Sequence, residues 1–574
     1  MKELLIDFLK KTIEYEMDFE NLIEKPKIAE HGDFSLPVFT LAKELKKSPQ
    51  IIAKELEEKL QGKLPEFLSK VVSLGPYLNF YINNSLEAKS IIKEFENSRI
   101  PIWKTEKPQK IVIEFPSPNT NKALHIGHSR NMLIGCSLSK ILEKTGNKVI
   151  KTNINNDRGI AVCKAMLSYK LFGENSTPKS KNMKPDEFVS YFYILYGEKN
   201  KSNPELELDK KAQEMLVMWE NGEKETRKLW EKMLNWVYEG YQKTYRNYKM
   251  PKFEKEYTES EIYDKGKDIV LKALNDKVKG FGKEEDGAVY VDLQDIGLDK
   301  KYLLRGDMTT LYMTQDIYLA KLKEKDFKAD KYIFVVGQEQ EYHFKVLFEI
   351  LSRLKFSEVG KNYHFAYGYI YDENGKKFSS RLGNTIGADE IYFKIVEKAK
   401  ENLLNKELTK NLSETELDKR AKIIGFGALS YALLKPNPIS SINFSMENAL
   451  SFEGETGPYI QYTYARIQSL IKKSKTNIDF DIDFSIYNDK EMLLIKNIKQ
   501  YPEILKEAAE KYKISTIANY LLSISQQFNE VYQNSPILKA EDKEKKARLL
   551  LAHITGVTIK EGLSLLNIDV LDEM

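Results

Sequence analysis

The stretch from residue 110 to residue 150 restricts the fold of this chain more than any other. Ile111, Val112 and Ile113 form a short continuous apolar run, the pattern of a parallel strand buried on both faces. A turn rich in Pro, Ser and Asn follows, from Pro116 to Thr120. A helical pattern then runs from about His125 to Lys144. Gly146 is placed as its stop, and Val149-Ile150 opens a second strand. Strand, helix and strand in that order predict a βαβ unit of the nucleotide-binding type.

The rest of the chain has a different texture. At 574 residues it should divide into roughly three or four domains. The first hundred residues predict a small separate domain. Leu4, Leu5, Phe8, Leu9 and Ile13 follow helical spacing, and strand-like material lies at 71–82. A polar segment around Pro101 and Pro108 reads as a linker. From about 163 to 290 the chain is charged, Lys-rich and mostly helical in pattern, as an insertion would be. Strand-like runs return at 332–336 and 363–371, and beyond about 410 the pattern is helical almost to the end.

Composition removes several classes of protein. Apolar residues make up 42% and charged residues 30%, which excludes wholesale disorder. The net charge of +4 excludes a global polycation, so a nucleic-acid partner would need a local basic surface. The longest nearly apolar stretch, 423–434, is too short to span a bilayer. The N-terminal residues lack the apolar region and cleavage site of a signal peptide. Cys136 and Cys163 have neither CxxC spacing nor a nearby His cluster, which argues against a disulfide scaffold or a structural zinc site.

The sharpest chemical signal is His125-Ile126-Gly127-His128, set between the first strand and its helix. With only 6 His and 29 Gly in the chain, H-x-G-H is expected by chance roughly 0.003 times. A helix N-terminus offers free N–H groups and positive dipole to a phosphate. Two imidazoles on that turn add donors aimed at developing charge. Gly127 leaves room for a flat ligand against the backbone. The competing reading is two surface histidines at a helix start.

This strand–HIGH–helix unit resembles the signature of class I aminoacyl-tRNA synthetases. Its wider form, EFPSPNTNKALHIGHSRNMLIG from Glu114 to Gly135, is similar to the arginyl-tRNA synthetase version. The likeness continues along the chain. GDF at 32–34 is like that family's N-terminal tRNA-binding domain. LYMTQDI at 311–317 and VVGQEQEYHF at 335–344 are like its catalytic blocks, and EGETGPYIQYTYARI at 453–467 is like its anticodon-binding bundle. The resemblance implies an α/β architecture. A small α+β N-terminal domain would span 1–105. A Rossmann-like catalytic domain would span 106–410, with its helical insertion at about 163–290. An all-α anticodon-binding bundle would span 411–574.

The second class I signature, KMSKS, is matched by KKFSSRLG at 376–383. Ser380 stands where the second lysine would be. In arginyl-type enzymes that lack it, a lysine just before HIGH substitutes, and Lys122 has that position. The resemblance therefore implies catalytic roles for His125, His128, Lys122 and Lys377. It implies ATP contacts for His125, Gly127, His128, Lys377, Ser379 and Arg381. Spread cationic donors suit a pentacoordinate phosphorus. Taken alone, the KKFSSR stretch reads more readily as a solvated loop.

Substrate choice needs separate residues. A guanidinium is planar, carries five donors and stays charged, so a pocket selecting it needs a carboxylate and flat acceptors in a fixed fork. Tyr312 and Asp316 are at i and i+4 and share a face if that stretch is helical. By resemblance they hold the guanidinium, and Glu114, Asn119 and Gln340 complete the arginine pocket. His343, three residues after Gln340, belongs to the site generally. Asn155 and Asp157 lie either near the substrate or in a solvated turn.

Tyr459, Tyr462 and Arg466 share one helical face, where aromatic rings can stack on unpaired bases and arginine can reach phosphate. The resemblance places these three, Tyr532 and the terminal Met574 around the anticodon loop. The family often has Asn where Glu455 stands. The alternative for the tyrosines is core packing. Asp33 and Phe34 would touch the tRNA elbow, with a turn role for Gly32-Asp33 as the alternative. The expected activity is ATP-dependent activation of L-arginine and its transfer to tRNA(Arg). Mg2+ would accompany the ATP phosphates rather than occupy a protein site. The expected protein is a cytoplasmic monomer with no membrane partner. Two alternatives are a class I synthetase for another amino acid and a catalytically silent paralogue that binds tRNA.

Overall fold

Five short segments form one parallel sheet: Lys110–Glu114 (β1), Lys148–Asn155 (β2), Lys255–Thr258 (β3), Lys331–Gly337 (β4) and Asn362–Tyr367 (β5). Every neighbouring pair is parallel, and the spatial order is β5-β4-β1-β2-β3. The middle of the central strand is apolar: Ile111, Val112 and Ile113 are all buried. This computed structural model describes residues 1–26, 28, 31–96, 100–376, 386–405 and 412–574.

The chain divides into two compact units. The sheet lies in the unit made of Ile102–Arg466, Pro502–Ser525 and Ile559–Met574. Its helices are α1 (Ile126–Lys144), α2 (Ile160–Phe172), α3 (Pro185–Ser202), α4 (Leu208–Glu220), α5 (Lys224–Asn247), α6 (Tyr312–Phe327), α7 (Glu341–Arg353), α8 (Ala388–Leu404) and α9 (Glu414–Leu434). α1 follows β1 and ends at Lys144, just before the expected Gly146, whose φ is +98°. The α6–β4–α7 side is built around Val289, Leu303, Leu304, Ile317, Phe334 and Ile350.

The other unit joins Met1–Pro101 to Ile467–Tyr501 and Gln526–Thr558. Its N-terminal part is an antiparallel sheet of Phe34–Pro37, Tyr77–Ile82 and Leu68–Leu74, backed by helices Lys2–Thr12 and Pro49–Gln61. Leu5, Leu9, Leu36, Leu56, Leu78 and Phe80 fill the space between them. Pro at the first helical position and Ser48 as N-cap start the second helix as capping rules require. In the later segments Glu491, fully buried, is held by Arg548 at 2.7 Å.

The expected helical insertion differs in two respects: strands Phe281–Lys283 and Val289–Val291 near its end belong to a separate antiparallel sheet, and a further strand joins the parallel one. The insertion is helical from α2 to the end of α5, but β3 follows and completes the parallel sheet at its edge. The β3 sequence, KEYT, is four residues long and charged. Charge is common on an edge strand, and it hides the strand from a search for apolar runs.

α1 lies close to the chain after β1. A Cβ on Gly135 would fall 2.2 Å from ring atoms of Phe115, a fully buried side chain packed edge-on against Phe253 at 5.6 Å. Alanine would gain up to about 1 kcal/mol in helix propensity. Overpacking a core costs about 1–3 kcal/mol. Gly135→Ala should therefore lower the urea midpoint of unfolding. A raised midpoint would mean that the Phe115 ring slides aside at no cost.

Candidate active site

In a sheet of this order the crossover from β1 runs one way and that from β4 the other. A crevice opens where they diverge, beyond the carboxyl ends of the two strands. Glu114 ends β1, and the loop after it leads to HIGH. Gly337 ends β4, and Gln340 and His343 follow. α6 runs back towards the start of β4, so its first residues, Tyr312 and Asp316, also lie at the carboxyl end of the sheet.

His125 is the N-cap of α1. Its Nδ1 accepts from the Gly127 N–H (3.1 Å), while the Nδ1 of His128 accepts from the N–H of His125 (3.1 Å). The two imidazoles thus satisfy backbone donors that a helix start leaves open. Their ring centres are 4.0 Å apart. Burial pushes the His125 ring down to about 4, with the nearby Lys122 charge adding to the effect. Burial, His125 and Lys122 push His128 well below its ordinary value. Both rings are neutral at pH 7. Because each Nδ1 is an acceptor, each proton sits on Nε2, which is left as a donor. Gly127 has a second reason to be glycine: a Cβ there would lie 2.9 Å from Cε1 of His125.

The neighbouring residues are held by the backbone. Thr120 N–H donates to Asn156 O, and Tyr241 Oη donates to the carbonyls of Asn119 (3.0 Å) and Lys122 (2.7 Å). The Asn119 side chain is left exposed, and the Lys122 ammonium lies 5.5 Å from the Tyr193 ring centre. The main chain of Ile386, Gly387 and Ala388 runs antiparallel to Leu124–Ile126. Ile126 N–H donates to Ile386 O (3.1 Å), and Ala388 N–H to Leu124 O (2.9 Å). Lys377, Ser379 and Arg381 lie outside the described residues.

The opposite side of the crevice is acidic. Asp316 Oδ2 is 2.7 Å from Nε2 of His343, a pair that joins α6 to α7. Tyr312, one turn earlier, is 70% exposed, and Gln340 is exposed as well. Glu114 is buried, and its Oε2 is engaged by the buried Lys323. Asp157 is buried too, accepting from the Ser260 N–H and Oγ at 2.8 Å each. It is therefore not part of a solvated turn. Asn155 is clamped between Asn153 and Glu256.

Glu259, immediately after β3, is a residue that the sequence pattern did not single out. It is 7% exposed. Burial pushes its carboxyl up to about 7, Arg158 opposes that, and Asp157 and Asp316 add to it. An acid that feels Asp316 in this way is a candidate second carboxylate for a cation. Arg130 was also unmarked. Fully buried, it donates to the carbonyls of Gly368 (2.7 Å) and Ser440 (2.9 Å), and burial lowers it to about 10.

The expected tRNA residues fall in both units. Tyr459, Tyr462 and Arg466 lie half-buried on one face of helix Gly457–Ser474, with the Arg466 guanidinium 4.8 Å from the Tyr462 ring centre. Glu455 is engaged by Lys435. Met574 is buried. In the other unit, Tyr532 is partly exposed and stacks on Phe528. Asp33 accepts from the Ile82 N–H (2.8 Å) and from Lys496 (2.7 Å), while Phe34 packs half-buried against the N-terminal core. Among the described residues no helix is long and apolar enough to cross a membrane.

Comparison with known proteins agrees over the whole chain. Residues 1–82 match the family described as Arginyl tRNA synthetase N terminal domain, residues 93–446 match tRNA synthetases class I (R), catalytic domain, and residues 460–574 match DALR anticodon binding domain. The arginine–tRNA ligase of Treponema denticola is 39% identical, covering 96% of this chain and 94% of its own. That of Bacteroides thetaiotaomicron is 40% identical, covering 96% and 95%. The solved arginyl-tRNA synthetase of Thermus thermophilus superposes with a TM-score of 0.77 at 25% identity, covering 100% and 99% of the two chains. The Plasmodium falciparum structure, at 20% identity and a TM-score of 0.74, shares the fold. With the helix-capping histidines, the divergent sheet order and these full-length likenesses, the chain belongs to the arginyl-tRNA synthetase family of class I aminoacyl-tRNA synthetases.

Proposed function

We propose that the crevice ligates arginine to tRNA(Arg) in two steps, through the residues assigned below. A carboxylate oxygen of arginine attacks the α-phosphorus of ATP. That forms the O–P bond of arginyl-adenylate, and the electron pair of the broken bond leaves with pyrophosphate. A ribose hydroxyl at the 3′ end of tRNA then attacks the acyl carbon, and AMP leaves. No protein nucleophile takes part, so catalysis is orientation plus electrostatic stabilisation at phosphorus.

One observation carries this reading: neutral Nε2–H donors of His125 and His128 stand at the N-terminus of α1, the helix that follows the central strand of the sheet. Neutral donors can bond to phosphate oxygens without taking protons from solvent. Lys122 adds fixed charge beside them. Lys377, Ser379 and Arg381 are assigned to the same phosphates from the sequence motif. Gly127 keeps the His125 ring in place and the backbone open to adenine. Mg2+ enters with the ATP phosphates as part of the substrate.

On the acidic flank Asp316 and Tyr312 take the guanidinium, with Glu259 as a further acceptor. His343 orients the Asp316 carboxylate. Asn119 and Gln340 take the amino-acid end. The Oε2 of Glu114 is held by Lys323, so its Oε1 is the oxygen assigned to the α-amino group.

The domains read as 1–105, 106–410 and 411–574, the last carrying the anticodon contacts at Tyr459, Tyr462, Arg466, Tyr532 and Met574. Tyr459 and Tyr462 are half-buried, so part of each ring is open to a base. Asp33 has both oxygens engaged, so the elbow contact falls mainly to Phe34 and its surroundings. The chain acts as a cytoplasmic monomer.

Arginine-dependent ATP–pyrophosphate exchange, run with and without tRNA(Arg), tests the assignment. Exchange with arginine but not with lysine or glutamine, and only when tRNA is present, is the expected result. No exchange under any condition, with tRNA still bound, would leave only a tRNA-binding paralogue. The pH profile tests the acidic flank. Glu259 is neutral below about 7 and charged above it, and a guanidinium needs the charged form. kcat/KM for arginine should therefore rise as pH increases through about 7. Glu259→Gln should abolish that inflection and raise the KM for arginine by about tenfold or more, the loss of one charge-assisted hydrogen bond. An unchanged profile in the variant would remove Glu259 from the pocket.

A further inference from the structure

The main chain of residues 386–388 is the partner that fixes the backbone on either side of His125. What holds those three residues is a cluster of side chains from the last turn of α5 and the start of α3. Tyr248, which closes α5 at its C-terminus, donates its hydroxyl to the Ala388 carbonyl (2.8 Å) and accepts from Ser129 Oγ (2.7 Å). Ser129 is the residue directly after His128. The next residue along α8, Asp389, is 5% exposed and accepts from Thr244 Oγ1 (2.6 Å) and Asn247 Nδ2 (2.8 Å). Lys184, the N-cap of α3, pairs with the same carboxylate and bonds to Thr244 Oγ1 at 2.6 Å.

None of these groups belongs to the phosphate- or arginine-binding set. The Tyr248 ring is fully buried against Tyr392 and Phe426, so packing alone would be served as well by phenylalanine. The hydroxyl is what differs. It lies between α1 just after its histidines, where it meets the Ser129 side chain, and the backbone carbonyl at the first residue of α8. The Tyr248 main chain is itself pinned, because its carbonyl accepts from Asn567 Nδ2 at 3.0 Å.

We propose that Tyr248 and Asp389 are positioning residues for adenylate formation. They clamp residues 386–388 against the first turn of α1, and so hold His125 and His128 in register with the phosphates. The proposal rests on the phosphate-binding reading of the two histidines. Displacing such donors by about 1 Å can cost on the order of a hundredfold in rate. Substrate binding away from the phosphates is untouched by such a shift.

The test uses the full chain. Tyr248→Phe keeps the ring and removes only the hydroxyl. The kcat of arginine-dependent ATP–pyrophosphate exchange is measured per active site, counted by the stoichiometric formation of adenylate. The KM for arginine and the affinity for tRNA are measured alongside. The expected result is a kcat per site lowered about tenfold or more, with the arginine KM and tRNA affinity of the unmodified chain. Asp389→Asn should change the same parameter in the same direction. Should that variant fail to fold, Thr244→Val removes one of its hydrogen bonds, together with the Lys184 contact to the same hydroxyl, and leaves the carboxylate in place. Fewer active sites, each with normal kcat, would reduce Tyr248 to a structural role and overturn the proposal. So would an unchanged kcat in both Tyr248→Phe and Thr244→Val. Absence of exchange by the unmodified chain would instead overturn the functional reading, and this proposal with it.

Discussion

Everything at the candidate site depends on how α1 begins. A helix start leaves backbone N–H groups without partners, and short polar side chains usually satisfy them. Here two imidazoles do so, each accepting through Nδ1. One set of hydrogen bonds therefore does two things. It caps the helix, and it dictates which nitrogen of each ring carries its proton. A serine cap would stabilise the helix equally well but would leave no ring donor pointing outward. Burial keeps both rings neutral, so they donate without first being charged.

Several charged groups around that turn are paired within the protein. Arg130 meets carbonyls rather than a carboxylate, Glu114 meets Lys323, and Asp157 meets Ser260. A buried charge without partners would cost several kcal/mol. Such networks are stable only when their members are placed together, which makes the carboxyl end of the sheet rigid before any substrate arrives. Preorganisation of that kind suits a reaction in which the protein supplies orientation and field rather than a nucleophile.

How much of this was legible in the sequence follows from the range of each signal. β1, α1 and β2 could be read because apolar runs and helix stops are local, and HIGH because histidine is rare in this chain. β3 was hidden because KEYT has neither length nor an apolar run; only its pairing with β2 makes it a strand. Glu259 looked like one more acid in a charged stretch. Its distinction is burial near Asp316, set by residues almost sixty positions apart in sequence. Tyr248 and Asp389 were invisible for the same reason, since each meets its partner across more than a hundred residues. For Asp157 the sequence left open a place near the substrate or a solvated turn; the bonds to Ser260 that remove the solvated turn come from a distant part of the chain, which local pattern cannot reveal.

The proposed assignment of neutral donors to the phosphates and of carboxylates to the guanidinium bears on fidelity. A ligand that matches arginine in shape but carries a ureido group in place of the guanidinium would bring no charge to the acidic flank. It would leave Asp316 and Glu259 facing a neutral oxygen. Sites that read a ligand through buried polar groups reject analogues lacking the partner by factors on the order of 10⁴. Accuracy of that size can be reached at the first encounter with the amino acid, before any ATP has been consumed.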